Sequence, residues 1–183
     1  MPKATMPLLY SMHINFEFKA RTTRLLELEE RLQTHQPLFK GLDHQIDTYF
    51  NVLHGRMKLR EGAIENALIH YQRQNVAGAK QSDVLLYEHQ PQPSLKHVLT
   101  AALGVKVVVD KQRKIYFIDN VKFHFDEVKE LGTFVEVEAI DSDGSIGIEK
   151  LQEQCRYYGQ LFELTENDYV AESYSDLLMN KLA

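Results

Sequence analysis

The sequence predicts a mainly β protein of the α+β class, an antiparallel barrel or strongly curved sheet of about eight strands with covering helices. Three observations favour this fold. Polar and apolar residues alternate with a period of two in most segments, as strands with two unlike faces require. The strand segments follow one another in hairpin order, which is typical of antiparallel sheets. The few helical segments carry apolar stripes, and these stripes need a sheet surface to cover.

The boundaries of the elements come from turn and cap residues. The first helix has leucines three and four positions apart and ends before Pro37. Turns at Gly55 and Gly78 join two pairs of strands, and Pro93 and Gly104 mark the ends of the second helix. In chain order the predicted elements are a strand at 13–21, a helix at 22–36, strands at 43–52, 55–62, 65–73 and 82–89, a helix at 93–103, strands at 105–118, 121–128 and 132–140, and helical segments at 145–164 and 167–181.

Composition and charge restrict the class of protein. A chain of 183 residues with 44% hydrophobic and 26% charged residues can form one domain, so we expect a single domain over 1–183, with 1–11 as an N-terminal extension and C-terminal helices within 145–181. The net charge of −5 disfavours nucleic acid as a partner. The single cysteine, Cys155, excludes an internal disulfide framework and fits a reducing compartment. No long apolar run suggests a membrane partner, so we expect a cytoplasmic protein.

Charged residues of like sign share strand faces, and this sorting decides between two arrangements. The charged faces that the period of two predicts are Arg56, Lys58 and Arg60 on one strand, Lys111 and Arg113 on another, and Glu136 and Glu138 on a third. The common arrangement places such a face in water. The alternative is a barrel with the charges inside and the apolar faces outside, under the helices. The sorting favours the alternative, because a face in water usually mixes both signs.

A charged interior has a chemical consequence. Confined bases of like charge are costly unless anions accompany them. Carboxylates inside the same space offset part of this charge, and they are the hard oxygen ligands that Mg²⁺ or Mn²⁺ prefers. A divalent metal bound to a chain of phosphates would satisfy both groups at once. The predicted interior bases are Lys19, Arg56, Lys58, Arg60, Arg73, Lys111 and Arg113, and the predicted interior acids are Glu17, Asp126, Glu136 and Glu138.

Several ordered segments resemble a known family. They include "FEFKAR" (16–21), "GRMKLRE" (55–61), "HFDEV" (124–128) and "LGTFVEVEAI" (131–140). From about Ile14 to Leu178 the chain resembles the CYTH superfamily, also called triphosphate tunnel metalloenzymes, and within it the class IV adenylyl cyclase-like branch. The resemblance implies an eight-stranded antiparallel β-barrel, or tunnel, that binds a small-molecule triphosphate together with Mg²⁺ or Mn²⁺. Related barrels often pair, which is compatible with a homodimer.

The resemblance also implies roles for individual residues. It gives Glu17, Glu136 and Glu138 as metal ligands, and Asp126 as an acid that orients metal-bound water or a basic partner. One position departs from the family pattern: Asn15 stands where the first glutamate of Glu-x-Glu-x-Lys is usual, which weakens a second metal site. The implied triphosphate contacts are Lys19, Lys58, Arg60, Arg73, Lys111 and Arg113, of which Lys111 and Arg113 join Asp126 as the implied catalytic groups.

Three functions remain open from the sequence. The first is an adenylyl cyclase that converts ATP to cyclic AMP and pyrophosphate. The second is a triphosphatase that hydrolyses tripolyphosphate, a nucleoside triphosphate or thiamine triphosphate. The third is a triphosphate-binding module without turnover, for which Asn15 would be the mark of decay. The same cations and metal serve the first two functions, so the residues alone do not separate them.

Overall fold

The computed structural model describes residues 11–182 and contains one closed antiparallel barrel of eight strands. The order around the barrel is β1-β5-β4-β3-β2-β6-β7-β8. The predicted fold class is therefore confirmed. The predicted N-terminal extension lies outside the described residues, except that the first strand already begins at Ser11. The elements are β1 (Ser11–Arg21), α1 (Leu25–Gln33), β2 (Leu38–Phe50), β3 (Arg56–Glu61), β4 (Ala67–Arg73), β5 (Lys80–Glu88), α2 (Pro93–Leu103), β6 (Val105–Ile118), β7 (Val121–Val128), β8 (Gly132–Asp141), α3 (Ile148–Leu161) and α4 (Tyr174–Leu182).

Much of the apolar core lies outside the barrel, between the outer face of the sheet and the helices that cover it. In β1, Glu17 and Lys19 line the interior, while Phe18 and Ala20 on the opposite face are fully buried outside the barrel. The core there joins the outer faces of β1, β7 and β8 to helices α1 and α3, through residues such as Leu28. Burying each large apolar side chain in this way contributes about 1.5–3 kcal/mol. The alternation read from the sequence therefore places charge inside and apolar surface under helices.

Helix α2 covers less of the barrel than the sequence predicts. It lies beside β2, and Lys96 Nζ is 2.7 Å from Glu61 Oε2 on β3. However, none of its residues is buried, and Val98 is 63% exposed. The cover over the outer sheet comes instead from α1 and α3.

Helix α1 begins later than predicted because β1 holds the chain at Thr22. The Thr22 amide donates to Thr133 O at 3.1 Å, and the Arg24 amide donates to Thr22 Oγ1 at 2.9 Å. These bonds keep Thr22 beside β8, so regular helix starts at Leu25.

The segment before α4 closes one end of the barrel instead of forming helix. Its backbone pairs with β1: the Arg21 amide donates to Asp168 O at 2.8 Å, and the Val170 amide donates to Lys19 O at 2.9 Å. Tyr174 then stacks edge-on against Phe134 at the start of β8, with ring centroids 5.0 Å apart. This end is therefore covered by residues 168–174 and α4. Among residues 11–182, no helix has both the length and the apolar character needed to cross a bilayer.

Candidate active site

A cavity of about 990 Å³ runs along the inside of the barrel. Tyr174 bounds it at the closed end, and residues 63–67 and 88–90 lie at the other end, which is open. Two predicted site residues, Lys111 and Asp126, are fully buried and do not line the cavity. The eight predicted site residues that line the cavity are Glu17, Lys19, Lys58, Arg60, Arg73, Arg113, Glu136 and Glu138.

Three glutamates and a histidine form one patch on β1, β8 and β7, which we call the acidic patch: Glu17, Glu136, Glu138 and His124. In the sheet register Glu17 is opposite Glu138, and His124 is opposite Glu136. His124 Nδ1 lies 3.3 Å from Glu136 Oε2 and 3.6 Å from Glu138 Oε1. One ligand atom from each of His124, Glu136 and Glu138 lies within 4.8 Å of the others. Side-chain oxygens gathered this closely suit a divalent cation.

Asn15 supports this interpretation of the acidic patch. Its side chain is 5% exposed and lines the same cavity, one inward position above Glu17 on β1. Its Oδ1 atom has no hydrogen-bond partner among the described residues. Leaving a buried acceptor unpaired is costly, and amide oxygens are ordinary ligands of hard cations. The donors present therefore fit a divalent metal ion.

The candidate metal ligands are also the counter-ions of candidate phosphate contacts. Lys19 Nζ lies 2.7 Å from Glu136 Oε1, and Arg113 Nη2 lies 2.6 Å from Glu136 Oε2. Arg73 pairs with Glu17 in the same way. A metal ion that took the carboxylates would release these cations for an anion.

The protonation of the acidic patch follows from burial and these neighbours. Burial opposes the ionisation of Glu136, but Lys19 and Arg113 hold its pKa well below the usual range. Burial also opposes the ionisation of Glu138, whose pKa is nevertheless lowered, chiefly by His124. Burial raises the pKa of Glu17. The patch therefore holds at least two ionised carboxylates at neutral pH.

A second ion-pair cluster surrounds Asp47 on β2. Asp47 is 1% exposed, and three bases contact its carboxylate: Lys58 at 3.0 Å, Arg60 at 2.9 Å and Lys111 at 2.7 Å. Burial opposes its ionisation, but these bases hold the pKa of Asp47 well below the usual range. Burial lowers the pKa of Lys111 to about 7 although Asp47 raises it. Asp47 therefore fixes three of the predicted triphosphate contacts.

Asp126 performs a similar role for Arg113. Arg113 Nε donates to Asp126 Oδ1 at 2.7 Å, and the Tyr174 hydroxyl donates to Oδ2 at 2.7 Å. Lys19 Nζ lies 4.0 Å from the centroid of the Tyr174 ring. Asp126 thus contacts both Arg113 and Tyr174 at the closed end of the barrel.

The open end carries a third cluster, around Glu65. Arg60 Nη1 lies 2.9 Å from Glu65 Oε2, and Lys122 on β7 also pairs with Glu65. Gln45 Nε2 donates to the same carboxylate at 3.1 Å. Burial opposes the ionisation of Glu65, but Lys122 and Arg60 lower its pKa strongly.

One side of the cavity is apolar. Strands β4 and β5 direct a set of mostly buried side chains into the cavity. We call this set the apolar wall, and it consists of Ala67, Ile69, Tyr71, Val84 and Leu86. The arginine and lysine of these strands, Arg73 and Lys80, lie near the closed end. The cavity therefore has one charged side and one apolar side.

Sequence reasoning missed several lining or supporting residues and placed one wrongly. Arg56, predicted to line the interior, lies instead at the closed end, where its Nη2 is 2.7 Å from Asp176 Oδ2. Asp47 could have been predicted to face the interior, because the alternation along β2 places it on the same face as Gln45. Lys122 similarly shares a face with His124. Glu65 is the first residue of a predicted strand, but β4 begins only at Ala67, so Glu65 lies between strands.

Comparisons with solved structures and with protein families agree with this geometry, whereas a comparison with curated proteins gives no match. Among solved structures, the fold is similar to that of PH1012 from Pyrococcus horikoshii OT3, with a TM-score of 0.74, 21% identity and coverage of 89% of this chain and 98% of that chain. It is also similar to a candidate adenylate cyclase from Vibrio parahaemolyticus, with a TM-score of 0.70, 16% identity and coverage of 91% and 98%.

A third similar structure is HpAC1 from Hippeastrum, a candidate adenylyl cyclase with a dominant triphosphatase activity, with a TM-score of 0.59, 11% identity and coverage of 93% and 96%. At these identities the structures show the fold alone. The family match is broader evidence, because the CYTH domain profile matches residues 13–174. A closed eight-stranded barrel whose interior holds paired cations and carboxylates agrees with that match. The chain belongs to the CYTH family, whose members are adenylate cyclase-like or triphosphatase enzymes that bind triphosphates and use divalent metals.

Proposed function

We propose that this protein is a divalent-metal-dependent enzyme that acts on ATP, namely an adenylyl cyclase that forms cyclic AMP and pyrophosphate. The observation that carries the proposal is the two-sided cavity, with cations and carboxylates on one side and the apolar wall on the other. The charged side suits a metal-bound triphosphate, and the apolar side suits the organic part of the substrate.

The charged side would bind the triphosphate by exchange of ion partners. Lys19, Arg73 and Arg113 each contact a carboxylate of the acidic patch. Phosphate oxygens offer these bases stronger multidentate partners, while Glu17, Glu136 and Glu138 would hold Mg²⁺ or Mn²⁺. The metal, when bound, neutralises phosphate charge and orients the phosphate chain.

The apolar wall favours an organic triphosphate over inorganic tripolyphosphate. Ile69 and Val84 are each 7% exposed, and both line the cavity. Tripolyphosphate has no apolar surface to place against such a wall, whereas a base and a ribose do. A wall of this kind would be an unused feature in an enzyme specific for tripolyphosphate.

The chain's own residues would then align and stabilise the reaction. In cyclisation the ribose 3′ oxygen attacks the α-phosphorus, its proton passes to water, and the bond to pyrophosphate breaks. Lys19 and Arg113 would stabilise the charge that develops on the departing pyrophosphate. Stabilisation of this charge, together with alignment of the substrate, is the main source of catalysis in phosphoryl transfer. Asp126 fixes Arg113, and Lys111 acts through Asp47, so we assign Asp126 and Lys111 as positioning residues.

Analysis of the reaction products tests the proposal. The purified protein would be incubated with ATP or tripolyphosphate in the presence of Mg²⁺ or Mn²⁺, and cyclic AMP, pyrophosphate and phosphate would be resolved by chromatography. We expect cyclic AMP and pyrophosphate in equal amounts from ATP. Phosphate release without cyclic AMP would establish a triphosphatase instead, and tight triphosphate binding without any product would establish a binding module.

The apolar wall makes a separate prediction about binding. We expect Val84→Thr to weaken ATP binding roughly tenfold, because it places a hydroxyl where an apolar contact forms, and to leave tripolyphosphate binding unchanged. Calorimetry of both ligands in Mg²⁺ measures the difference. The matched control is Val108→Thr, since Val108 is 45% exposed on the outer face of the barrel. Equal losses for both ligands would show that the wall does not contact the organic group.

A further inference from the structure

His124 is a buried histidine to which neither the family resemblance nor the proposed function assigns a role. It lies on β7 directly opposite Glu136 and is 0% exposed. Its Nδ1 atom faces carboxylates on both sides, at 3.3 Å from Glu136 and 3.6 Å from Glu138. Its Nε2 atom has no hydrogen-bond partner among the described residues.

The acidic patch also lacks one carboxylate at the neighbouring strand. Asn15, whose buried Oδ1 has no partner within residues 11–182, supplies a neutral oxygen on β1 where the family pattern has a glutamate. An ion bound by Glu136 and Glu138 therefore has one anionic ligand fewer within reach. His124 places a ring nitrogen at ligand spacing from both glutamates, since one ligand atom from each of the three residues lies within 4.8 Å of the others.

We propose that His124 is a nitrogen ligand of the divalent ion that Glu136 and Glu138 hold, and that the site consequently prefers Mn²⁺ or Co²⁺ to Mg²⁺. The inference rests on the proposed function, because this ion is the one that would hold the triphosphate. In the structure Nδ1 donates to Glu136 Oε2 at 3.3 Å. A bound ion would take the Nδ1 lone pair in place of this hydrogen bond, and the single proton of the neutral ring would then lie on Nε2. The preference follows from ligand chemistry: imidazole suits first-row transition ions, while Mg²⁺ takes oxygen ligands and retains its waters.

Pulsed electron paramagnetic resonance of bound Mn²⁺ tests the ligand directly. The full-length protein would be loaded with Mn²⁺ and tripolyphosphate, and electron spin-echo envelope modulation would be recorded. We expect modulation from a directly bound nitrogen, altered when the histidines are labelled with ¹⁵N. His124→Gln should abolish this modulation. The matched control is His13→Gln, because His13 lies on β1 and lines the same cavity, and it should retain the modulation.

Competition between ions gives a second readout. In His124→Gln we expect the affinity for Mn²⁺ to fall about 10- to 100-fold, as loss of a ligand or its close support does, while the affinity for Mg²⁺ changes little. Mn²⁺ that binds the wild-type protein without nitrogen modulation would overturn the inference and leave the proposed function intact. Failure of the wild-type protein to bind either ATP or tripolyphosphate in the presence of metal would overturn the proposed function itself. Because both wild-type measurements need no variant, poor folding of His124→Gln would not obscure the outcome.

Discussion

Glu136→Gln is expected to reduce metal-dependent turnover by about three orders of magnitude, as loss of a central electrostatic group at a transition state does. Glu136 is a candidate metal ligand and also contacts Lys19, Arg113 and His124. A glutamine keeps the shape of the side chain but removes the charge that both the metal and the bases require. The measurement is kcat with ATP over a range of Mn²⁺ concentrations, made well below the unfolding temperature of the variant.

The control for this prediction is a glutamate on the neighbouring strand outside the cavity. Glu127 on β7 is exposed, so Glu127→Gln should leave kcat within about twofold of the wild type, as ordinary surface substitutions do. Binding of Mn²⁺ in the presence of tripolyphosphate provides a readout independent of turnover. Unchanged turnover and an unchanged metal dependence in Glu136→Gln would show that the ligand assignment is wrong.

Asp47→Asn is expected to lower the free energy of unfolding by about 3–5 kcal/mol, because removing one partner of a buried ion cluster leaves charges uncompensated. Three bases share the Asp47 carboxylate, and the side chain of Lys111 is 0% exposed. Urea unfolding followed by circular dichroism measures the loss. The matched control is Asp110→Asn, since Asp110 is 36% exposed at the surface beside His44 and should change stability by less than about 1 kcal/mol.

The pH dependence of Asp47→Asn identifies the charge responsible. The pKa of Lys111 is about 7 in the folded protein, against 10.5 for an ordinary lysine, because burial lowers it. At pH values between these two pKa values, Lys111 is protonated in the unfolded chain but not in the folded chain. The free energy of unfolding therefore rises with pH in this range. Without Asp47 the pKa of Lys111 falls further, so in the variant this rise begins at a lower pH. The loss caused by the substitution should therefore shrink as the pH increases to about 7, the pKa of Lys111 in the folded wild-type protein, and change little above that pH.

A double-mutant cycle completes this test. Lys111→Met removes the most buried base of the cluster, so the double variant Asp47→Asn/Lys111→Met should recover part of the stability that Asp47→Asn loses. A loss that is independent of pH and purely additive in the double variant would contradict the assignment of Lys111 as the main uncompensated charge.

The sequence by itself determined which residues share a strand face. The alternation in β1 separates Glu17 and Lys19 from Phe18, and the tertiary structure keeps that separation, with charge inside and apolar surface outside. Local period and sorting of sign were sufficient here, because a side chain's face in a strand depends only on its own position in the chain. The same reasoning located Lys58 and Arg60 on one inward face of β3.

The tertiary structure alone decided which charges meet. Asp47 collects bases from β3 and β6, and Glu65 joins Lys122 across the open end, because the closed barrel brings strands distant in sequence into register. Closure also turned residues 168–174 into a cover for one end, where the local pattern indicated helix. Pairing across a barrel depends on strand order and shear, and a period within one strand contains no information about either.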